Sequence, residues 1–199
     1  MNEPAPRTAT VERATRETAI TASVRLDGQG ASEIDTGIGF LDHMLTALST
    51  HALIDIELVC KGDLEVDDHH TAEDCAITLG SAIDKALGDR AGIVRFGSAY
   101  APMDEALARV AIDLSGRASA SVDLGFTREM LGTIATENVT HVFVSLAHSL
   151  RCALHVDVFK GVNDHHKAEA AFKALALGLR QAVAVDPRRS GIASTKGVL

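Results

Sequence analysis

Asp67-Asp68-His69-His70-Thr71-Ala72-Glu73 and Asn163-Asp164-His165-His166-Lys167-Ala168-Glu169 are two copies of one His-His-x-x-Glu pattern, 96 positions apart. Each copy begins a segment whose apolar residues recur at helical spacing. On a helix, a glutamate three and four residues after two histidines shares a face with both of them. Adjacent histidines diverge by about 100° around the axis, so the pair suits two metal ions better than one.

The repeat extends upstream of both copies. His43 lies 26 residues before His69, and His141 lies 24 residues before His165. Each half reads as a helix with a histidine, a short apolar strand and then the His-His-x-x-Glu helix. We therefore expect an α+β fold of two duplicated halves, each a small β-sheet packed with two helices. The predicted divisions are a flexible arm at 1–8, the halves at 9–92 and 93–186, and a C-terminal tail at 187–199.

The duplicated pattern supplies six imidazoles and two carboxylates, enough for two metal ions with three imidazoles and one carboxylate each. One His-His pair alone is more often a polar helix start; its duplication favours the metal interpretation. The candidate ligands are His43, His69, His70, Glu73, His141, His165, His166 and Glu169. This ligand set by itself would bind Zn²⁺, Co²⁺ or Ni²⁺ more tightly than Mn²⁺.

The bulk composition excludes several classes of partner. With 199 residues, a net charge of −8 and a pI near 5.5, the chain lacks the basic surface that nucleic acid or an anionic membrane requires. The sequence contains no apolar run of membrane-spanning length and no signal segment, which predicts a soluble, cytoplasmic protein. Three cysteines without C-x-x-C spacing predict free, buried thiols.

Local patterns predict the remaining elements. The alternation from Ile20 to Leu26, followed by the turn Asp27-Gly28-Gln29-Gly30 and residues 31–35, predicts a β-hairpin. Asp67 and Asp68 are predicted helix caps, with orientation of the histidines as the alternative role. Helices are expected at 40–50, 68–87, 137–153 and 164–185, and further strands at 53–59, 93–97, 106–114, 118–124 and 153–159.

In such an acidic chain, local cations are candidates for binding an anionic substrate. Arg95 lies in a predicted strand and Arg117 directly before one, where an arginine usually faces solvent. Lys173 follows Glu169 by four residues and shares its helical face. The tail carries Ser194, Thr195 and Lys196 between glycines, which suits a phosphate contact, although such a segment is more often a frayed terminus.

With these residues in place, the chain resembles the imidazoleglycerol-phosphate dehydratase family from about residue 9 to 199. The motifs that carry the resemblance are Arg16-Glu17-Thr18, Gly39-Phe40-Leu41-Asp42-His43-Met44, the two His-His-x-x-Glu stretches, Pro102-Met103-Asp104-Glu105, Asp113-Leu114-Ser115-Gly116-Arg117 and Ser194-Thr195-Lys196-Gly197. The chain departs from the family pattern at Ala47, Ser119 and Ala193, none of which is a proposed ligand.

The resemblance implies a site with two Mn²⁺ ions held by the eight candidate ligands. It implies active sites between subunits of a 24-subunit homo-oligomer built from trimers. It also implies that the substrate-binding residues are Glu17, Arg95, Arg117, Lys173, Ser194, Thr195 and Lys196.

The implied reaction is dehydration of imidazoleglycerol phosphate to imidazole-acetol phosphate in histidine biosynthesis. The substrate ring, held as an imidazolate, expels hydroxide; the resulting diazafulvene acidifies the neighbouring C–H, and a carboxylate removes the proton. Glu17 is the expected base because it resembles the catalytic base of the family. Without that resemblance, a glutamate beside a strand is usually a solvated surface residue. His43 and Glu169 are the next catalytic candidates.

Two other functions fit the same metal ligands. A dinuclear hydrolase would use a metal-bound hydroxide and would release phosphate from a phosphate ester. A metal-storage or carrier protein would have no need for Glu17, Arg95 or Lys196. Identification of the product formed from imidazoleglycerol phosphate separates the three.

Overall fold

The computed structural model describes residues 6–197, which form ten strands and four helices. In chain order these are β1 (Thr8–Ala14), β2 (Thr18–Arg25), β3 (Ser32–Asp35), α1 (Gly39–Ala52), β4 (Asp55–Gly62), α2 (His69–Leu87), β5 (Phe96–Met103), β6 (Ala106–Asp113), β7 (Ser119–Asp123), β8 (Met130–Leu131), β9 (Ile134–Ala135), α3 (Thr136–Ser149), β10 (Ala153–Lys160) and α4 (Asp164–Val183).

The two halves repeat one sheet topology. The first sheet has the strand order β1-β2-β4-β3 and the second β5-β6-β10-β7, while β8 and β9 form a small separate hairpin. In each large sheet the first three strands are antiparallel and the last strand, β3 or β7, runs parallel to its neighbour. The predicted α+β fold with duplicated halves is therefore confirmed.

Each sheet buries one face against two helices. Alternate residues of β2, such as Ile20, Ala22 and Val24, are buried while those between them are more exposed. This period of two places the apolar side chains on the helix side of the sheet. The helices in turn pack across the halves, α1 against α4 and α2 against α3.

Close helix packing depends on Gly80. A Cβ on this residue of α2 would lie 2.9 Å from the carbonyl oxygen of Leu146 in α3, which is too close for two non-bonded atoms. The two helices therefore approach backbone to backbone at this point. The aromatic rings of Phe143 and Phe172, 4.5 Å apart between centroids, fill the core between α3 and α4.

The hairpin predicted between residues 20 and 35 is wrong. Strand β4 lies between β2 and β3, and β2 instead forms its hairpin with β1. The chain leaves β3, crosses through α1 and returns as β4 parallel to β3. Alternation identifies a strand but not its partner, and β1 was missed because it is an edge strand with no fully buried residue.

Both ends of the described chain are tied to the fold. Arg7 and Thr8 were expected in the flexible arm, but Thr8 begins β1 and the Arg7 guanidinium binds Asp27 and the carbonyl of Val183. Residues 1–5 of that arm lie outside the described residues. The C-terminal tail runs beside the segment that connects the two halves, and Ala91 and Ile192 form an isolated antiparallel β-bridge. The three cysteines are free thiols; Cys75 and Cys152 are buried as predicted, whereas Cys60 is only partly buried.

Candidate metal centre

Six of the eight predicted ligands form two groups in which donor atoms lie within 4.8 Å of one another. The first group is His43, His165 and Glu169. The second is His69, Glu73 and His141. Each group takes residues from both halves, because α1 packs against α4 and α2 against α3. Each His-His-x-x-Glu helix therefore faces the single-histidine helix of the opposite half.

In the first group one carboxylate oxygen serves both imidazoles. Oε2 of Glu169 lies 3.4 Å from Nε2 of His43 and 3.3 Å from Nε2 of His165. The other oxygen, Oε1, lies 2.7 Å from Nζ of Lys173. Lys173, which was predicted to share a helical face with Glu169, therefore contacts this group. Burial alone would raise the pKa of Glu169, but Lys173 and His43 outweigh it and lower that pKa.

In the second group the carboxylate bridges with both oxygens. Oε1 of Glu73 lies 2.9 Å from Nε2 of His141, and Oε2 lies 3.8 Å from Nε2 of His69. The rings of His69 and His141 are stacked with centroids 5.1 Å apart. Nδ1 of His69 is 2.8 Å from the side-chain oxygen of Asn138, a nearly buried residue of α3. This contact orients the ring so that Nε2 faces the carboxylate.

His70 and His166 belong to neither group. Their rings are T-shaped to those of His69 and His165, at 74° and 88°, as expected of adjacent residues on a helix. Nδ1 of His70 lies 3.0 Å from Asp63, and Nδ1 of His166 lies 2.7 Å from Glu105. With Nδ1 bound to a carboxylate, each ring has Nε2 on its outer side, the arrangement of a metal-binding imidazole. Nε2 of His166 also lies 3.8 Å from the exposed carboxylate of Asp104.

The carboxylates beside these two rings raise the pKa values of both imidazoles. The hydrogen bond to Asp63 is the main reason that the pKa of His70 is raised, and the hydrogen bond to Glu105 does the same for His166. The pKa of Glu105 is lowered to about 2, first by His166 and then by backbone N–H groups that include Asn163 and Val162.

Sequence reasoning missed three supporting residues, Asp63, Glu105 and Asn138. Asp63 and Glu105 are in loops, and only the fold brings them to the ring nitrogens. Of the two predicted caps, Asp67 accepts a hydrogen bond from the N–H of His69 at 2.9 Å. Asp68 makes no cap and instead accepts from the N–H of Ala135 at 2.7 Å, where it helps to fix the start of α3.

The predicted anion-binding residues form a separate open pocket of about 600 Å³. Arg95 is held in it by two hydrogen bonds to Asp113, at 2.6 and 2.9 Å, and by one to the carbonyl of Ala193. The pocket brings together the predicted residues Arg95, Arg117, Ser194, Thr195 and Lys196, and adds Arg189, which the sequence did not single out. Lys173 is absent from this lining and belongs with Glu169.

Glu17 lies at the tip of the β1–β2 hairpin, with an exposed side chain. Within residues 6–197 its carboxylate makes no hydrogen bond or ion pair. Its charge is one of those that raise the pKa of His70, after the hydrogen bond and charge of Asp63. Glu17 therefore lies within electrostatic range of the outward-facing imidazole of α2.

The donor atoms fit divalent transition metals. Each group offers two imidazole nitrogens and a carboxylate, which such ions accept, and three protein donors leave coordination positions for further ligands. The hydrogen bond to Nδ1 of His69 is the usual second contact of a metal-ligating histidine.

Comparison with known proteins identifies the family of this chain. The family model for imidazoleglycerol-phosphate dehydratase matches residues 36–179. The chain belongs to this family. The imidazoleglycerol-phosphate dehydratase of Chlorobium luteolum is 56% identical over 98% of this chain and 96% of its own length, and that of Salinibacter ruber is 54% identical over 98% and 96%. The relative from Phytophthora nicotianae is 56% identical over 97% of this chain, which spans only 42% of that longer protein.

Solved imidazoleglycerol-phosphate dehydratases have the same fold. The enzyme from Staphylococcus aureus matches with a TM-score of 0.81 and 36% identity over 90% of this chain and 99% of its own. The one from Pyrococcus furiosus matches with a TM-score of 0.82 and 36% identity over 95% and 100%. Between residues 6 and 197, no helix is long and apolar enough to cross a membrane.

Proposed function

We propose that this chain dehydrates imidazoleglycerol phosphate to imidazole-acetol phosphate and water in histidine biosynthesis. Family membership over nearly the whole chain supports the reaction. The observation that carries the proposal further is the gathering of His43, His165 and Glu169, and of His69, Glu73 and His141, into two matching donor groups. Removal of hydroxide from a poorly activated alcohol needs positive charge beside the substrate. Metal ions held by these donor groups would supply it.

The two groups are the proposed sites of two Mn²⁺ ions. When bound, two divalent ions supply positive charge that stabilises the imidazolate form of the substrate ring and so favours departure of hydroxide. Each group has three protein donors, one fewer imidazole than expected. His70 and His166 from other copies of the chain are proposed to complete the sets, which makes assembly a condition of activity.

The proposed assembly is a 24-subunit homo-oligomer built from trimers. Two exposed valines support contacts with other copies around the outward-facing imidazoles: Val66 and Val162 are 64% and 85% exposed and precede the two His-His-x-x-Glu helices at equivalent positions. Apolar side chains this exposed beside a functional residue are typical of surfaces that another protein covers.

The pocket beside the tail is proposed to bind the substrate phosphate. Lys196 and Arg117 supply positive charge, and Ser194 and Thr195 supply hydroxyl donors. Arg95, oriented by Asp113 and by the carbonyl of Ala193, adds its positive charge to the pocket. Lys173 is proposed to contact the substrate from its place beside Glu169.

Glu17 is proposed to remove the proton from the carbon next to the ring carbon that loses hydroxide. A carboxylate with no partner among residues 6–197 keeps both oxygens available to accept a proton. Glu169 and His43 are the weaker catalytic candidates because they contact each other and Glu169 also binds Lys173. These contacts suit them to metal binding.

The test is to incubate the purified protein with imidazoleglycerol phosphate and Mn²⁺ and to identify the product. We expect imidazole-acetol phosphate without release of inorganic phosphate. Phosphate release would identify a hydrolase, and stoichiometric metal binding without any turnover would identify a metal carrier.

Metal content provides a second measurement. We expect about two metal ions per chain, and a lower content with loss of turnover in His70→Ala and in His166→Ala. His148→Ala, an exposed histidine of α3 outside both groups, is the control and should keep both ions. Since imidazole binds metal only when neutral, metal should be lost as the pH falls below about 6. Full metal content in both variants, or at pH 5, contradicts the assignment.

A further inference from the structure

Glu17 and Glu105 occupy equivalent positions in the two halves. The hairpins β1–β2 and β5–β6 align at an offset of 88 residues, at which every buried position of β2 falls on a buried position of β6. In this alignment each glutamate is the last residue before the inner strand of its hairpin. The duplicated scaffold therefore presents two carboxylates at the same place in the fold.

The two carboxylates have different surroundings. Glu105 is fully engaged: it binds Nδ1 of His166 at 2.7 Å and accepts from the N–H groups of Val162 and Asn163 at 3.1 and 2.9 Å. In the first half Asp63 provides the equivalent contact to the histidine, at 3.0 Å from Nδ1 of His70. Asp63 thus replaces Glu17 as the partner of the ring and leaves the Glu17 carboxylate available.

Although its side chain is free, the backbone of Glu17 is held by a chain of hydrogen bonds. Oγ1 of Thr15 accepts from the N–H groups of Glu17 and Thr18, at 3.1 and 3.0 Å. The hydroxyl of Thr18 donates to Oδ2 of Asp74 at 2.6 Å, and Oδ1 of Asp74 accepts from Arg13 at 2.9 Å. Thr18 and Asp74 are 3% and 5% exposed, so water does not compete strongly for these bonds.

The second half has no counterpart of this chain of hydrogen bonds. At the same offsets, the four polar residues of the first half correspond to apolar ones. The pairs are Arg13 and Ala101, Thr15 and Met103, Thr18 and Ala106, and Asp74 and Ala170. A hairpin of this topology consequently folds without buried polar residues at its tip, and their presence only beside the free glutamate calls for a role specific to that glutamate.

We propose that Asp74, acting through Thr18 and Thr15, is a positioning residue for the Glu17 carboxylate. This inference rests on the proposed function, in which Glu17 accepts the proton. Asp74 lies on α2 directly after Glu73, so the hydrogen bonds connect the tip of the hairpin rigidly to the helix that carries the metal donors. A fixed distance between base and metal centre is what proton transfer in a preorganised site requires.

The test compares two substitutions of one buried hydroxyl. Thr18→Val keeps the shape of the side chain but cannot donate to Asp74, whereas Thr18→Ser retains the hydroxyl. We expect kcat to fall at least tenfold in Thr18→Val, with KM and metal content unchanged, and to stay near the parent value in Thr18→Ser. Thr10→Val, which removes an exposed hydroxyl bonded to Ser23 in the same hairpin, is the matched control and should have the parent kcat.

A second comparison distinguishes positioning from simple stabilisation of the hairpin. In a Glu17→Gln background, Thr18→Val should cause no further loss of kcat, because no base remains to be positioned. An equal fractional loss in both backgrounds, or a kcat equal to that of Thr10→Val, overturns the inference. If Thr18→Val does not fold, Asp74→Asn is measured in the same two backgrounds with the same criteria.

Failure of the proposed function has a different signature. A parent protein without turnover of imidazoleglycerol phosphate, or a Glu17→Gln variant with parent activity, removes the premise itself. Loss of activity in Glu17→Gln together with parent activity in Thr18→Val removes only the role of Asp74.

Discussion

The starts of α2 and α4 show how the two halves diverged on one scaffold. In α4, Nζ of Lys167 lies 2.8 Å from Asp164 and 2.6 Å from the carbonyl of Gly125, and both Lys167 and Asp164 are buried. At the equivalent position in α2 stands Thr71, whose hydroxyl oxygen is buried without a partner in the described residues. The same location thus holds a buried ion pair in one half and an unsatisfied hydroxyl in the other.

The backbone around these residues was nevertheless retained. A Cβ on Gly62, at the end of β4, would collide with the hydroxyl of Thr71, and one on Gly161, just after β10, would lie 2.8 Å from Cγ of Lys167. A glycine therefore stands at the end of β4 and directly after β10, because the next helix packs against the chain at that point. Packing and metal donors repeat between the halves, whereas the charged residues around them became specialised. Four predictions test this division.

The largest expected effect separates the equivalent glutamates. Glu17→Gln should lower kcat by about 10²–10⁴-fold, the usual contribution of a general base, while metal content stays at the parent value. Glu105→Gln should instead weaken metal binding by about 10–100-fold, since it loosens the orientation of His166, and excess Mn²⁺ should restore its activity. Steady-state kinetics at several Mn²⁺ concentrations measure both. The reverse pattern would show that the free carboxylate is not the base.

The ion pair of α4 should dominate the stability of that helix start. Lys167→Met leaves Asp164 buried without its cation and should lower the free energy of unfolding by about 3–5 kcal/mol. Thr71→Val removes a hydroxyl that has no partner and should change the same quantity by less than about 1 kcal/mol. Denaturant unfolding at one protein concentration gives both values. Similar losses in the two variants would contradict the asymmetry.

Phosphate binding should depend on the second half and the tail. Lys196→Ala should weaken substrate affinity by about 1.5–3 kcal/mol, as for a lost charged hydrogen bond, and leave metal content unchanged. Arg7, which aligns with Arg95 but binds Asp27 and the carbonyl of Val183 and does not line the pocket, is the control: Arg7→Ala should leave substrate affinity intact. Binding of a phosphate-free imidazole should be unaffected by either change. Unaltered affinity in Lys196→Ala would limit the phosphate site to the arginines and Lys173.

The smallest effect appears in acid. Burial alone would raise the pKa of Asp164, but Lys167 and the N–H groups of Thr127 and Arg128 lower it to about 2. Because the folded pKa lies below the unfolded one, the carboxylate stabilises the fold at higher pH, and this contribution is lost between about pH 4 and pH 2. It amounts to about 2 kcal/mol.

Asp164→Asn should remove this part of the pH dependence when metal-free protein is unfolded by denaturant from pH 5 down to pH 2. Asp68→Asn, the equivalent change in the first half, leaves the Asp164 contribution in place and should keep the slope. Equal slopes in the parent and in Asp164→Asn would show that the ion pair does not govern acid stability.

Much of the architecture could be predicted because its signals are local. The helical spacing around His43 and His69 set the elements and their faces, and the repeat at 96 residues predicted two similar halves. Which strands pair with each other was harder to predict from the sequence. Asp27–Gly30 has the composition of a hairpin turn, but it leads to a crossover because β4 competes for the edge of β2.

The amino-acid sequence by itself determined which side chains share a helical face, that adjacent histidines diverge, and that the chain is duplicated. The first two properties follow from the helical period, and the third follows from the repeated sequence pattern. None of them needs knowledge of the rest of the molecule. Only the tertiary structure decided that the donor groups cross between the halves, that Asp63 rather than Glu17 binds His70, and that the tail meets Arg95. These contacts join residues far apart in the chain, and their geometry depends on how helices and sheets pack, which no local pattern encodes.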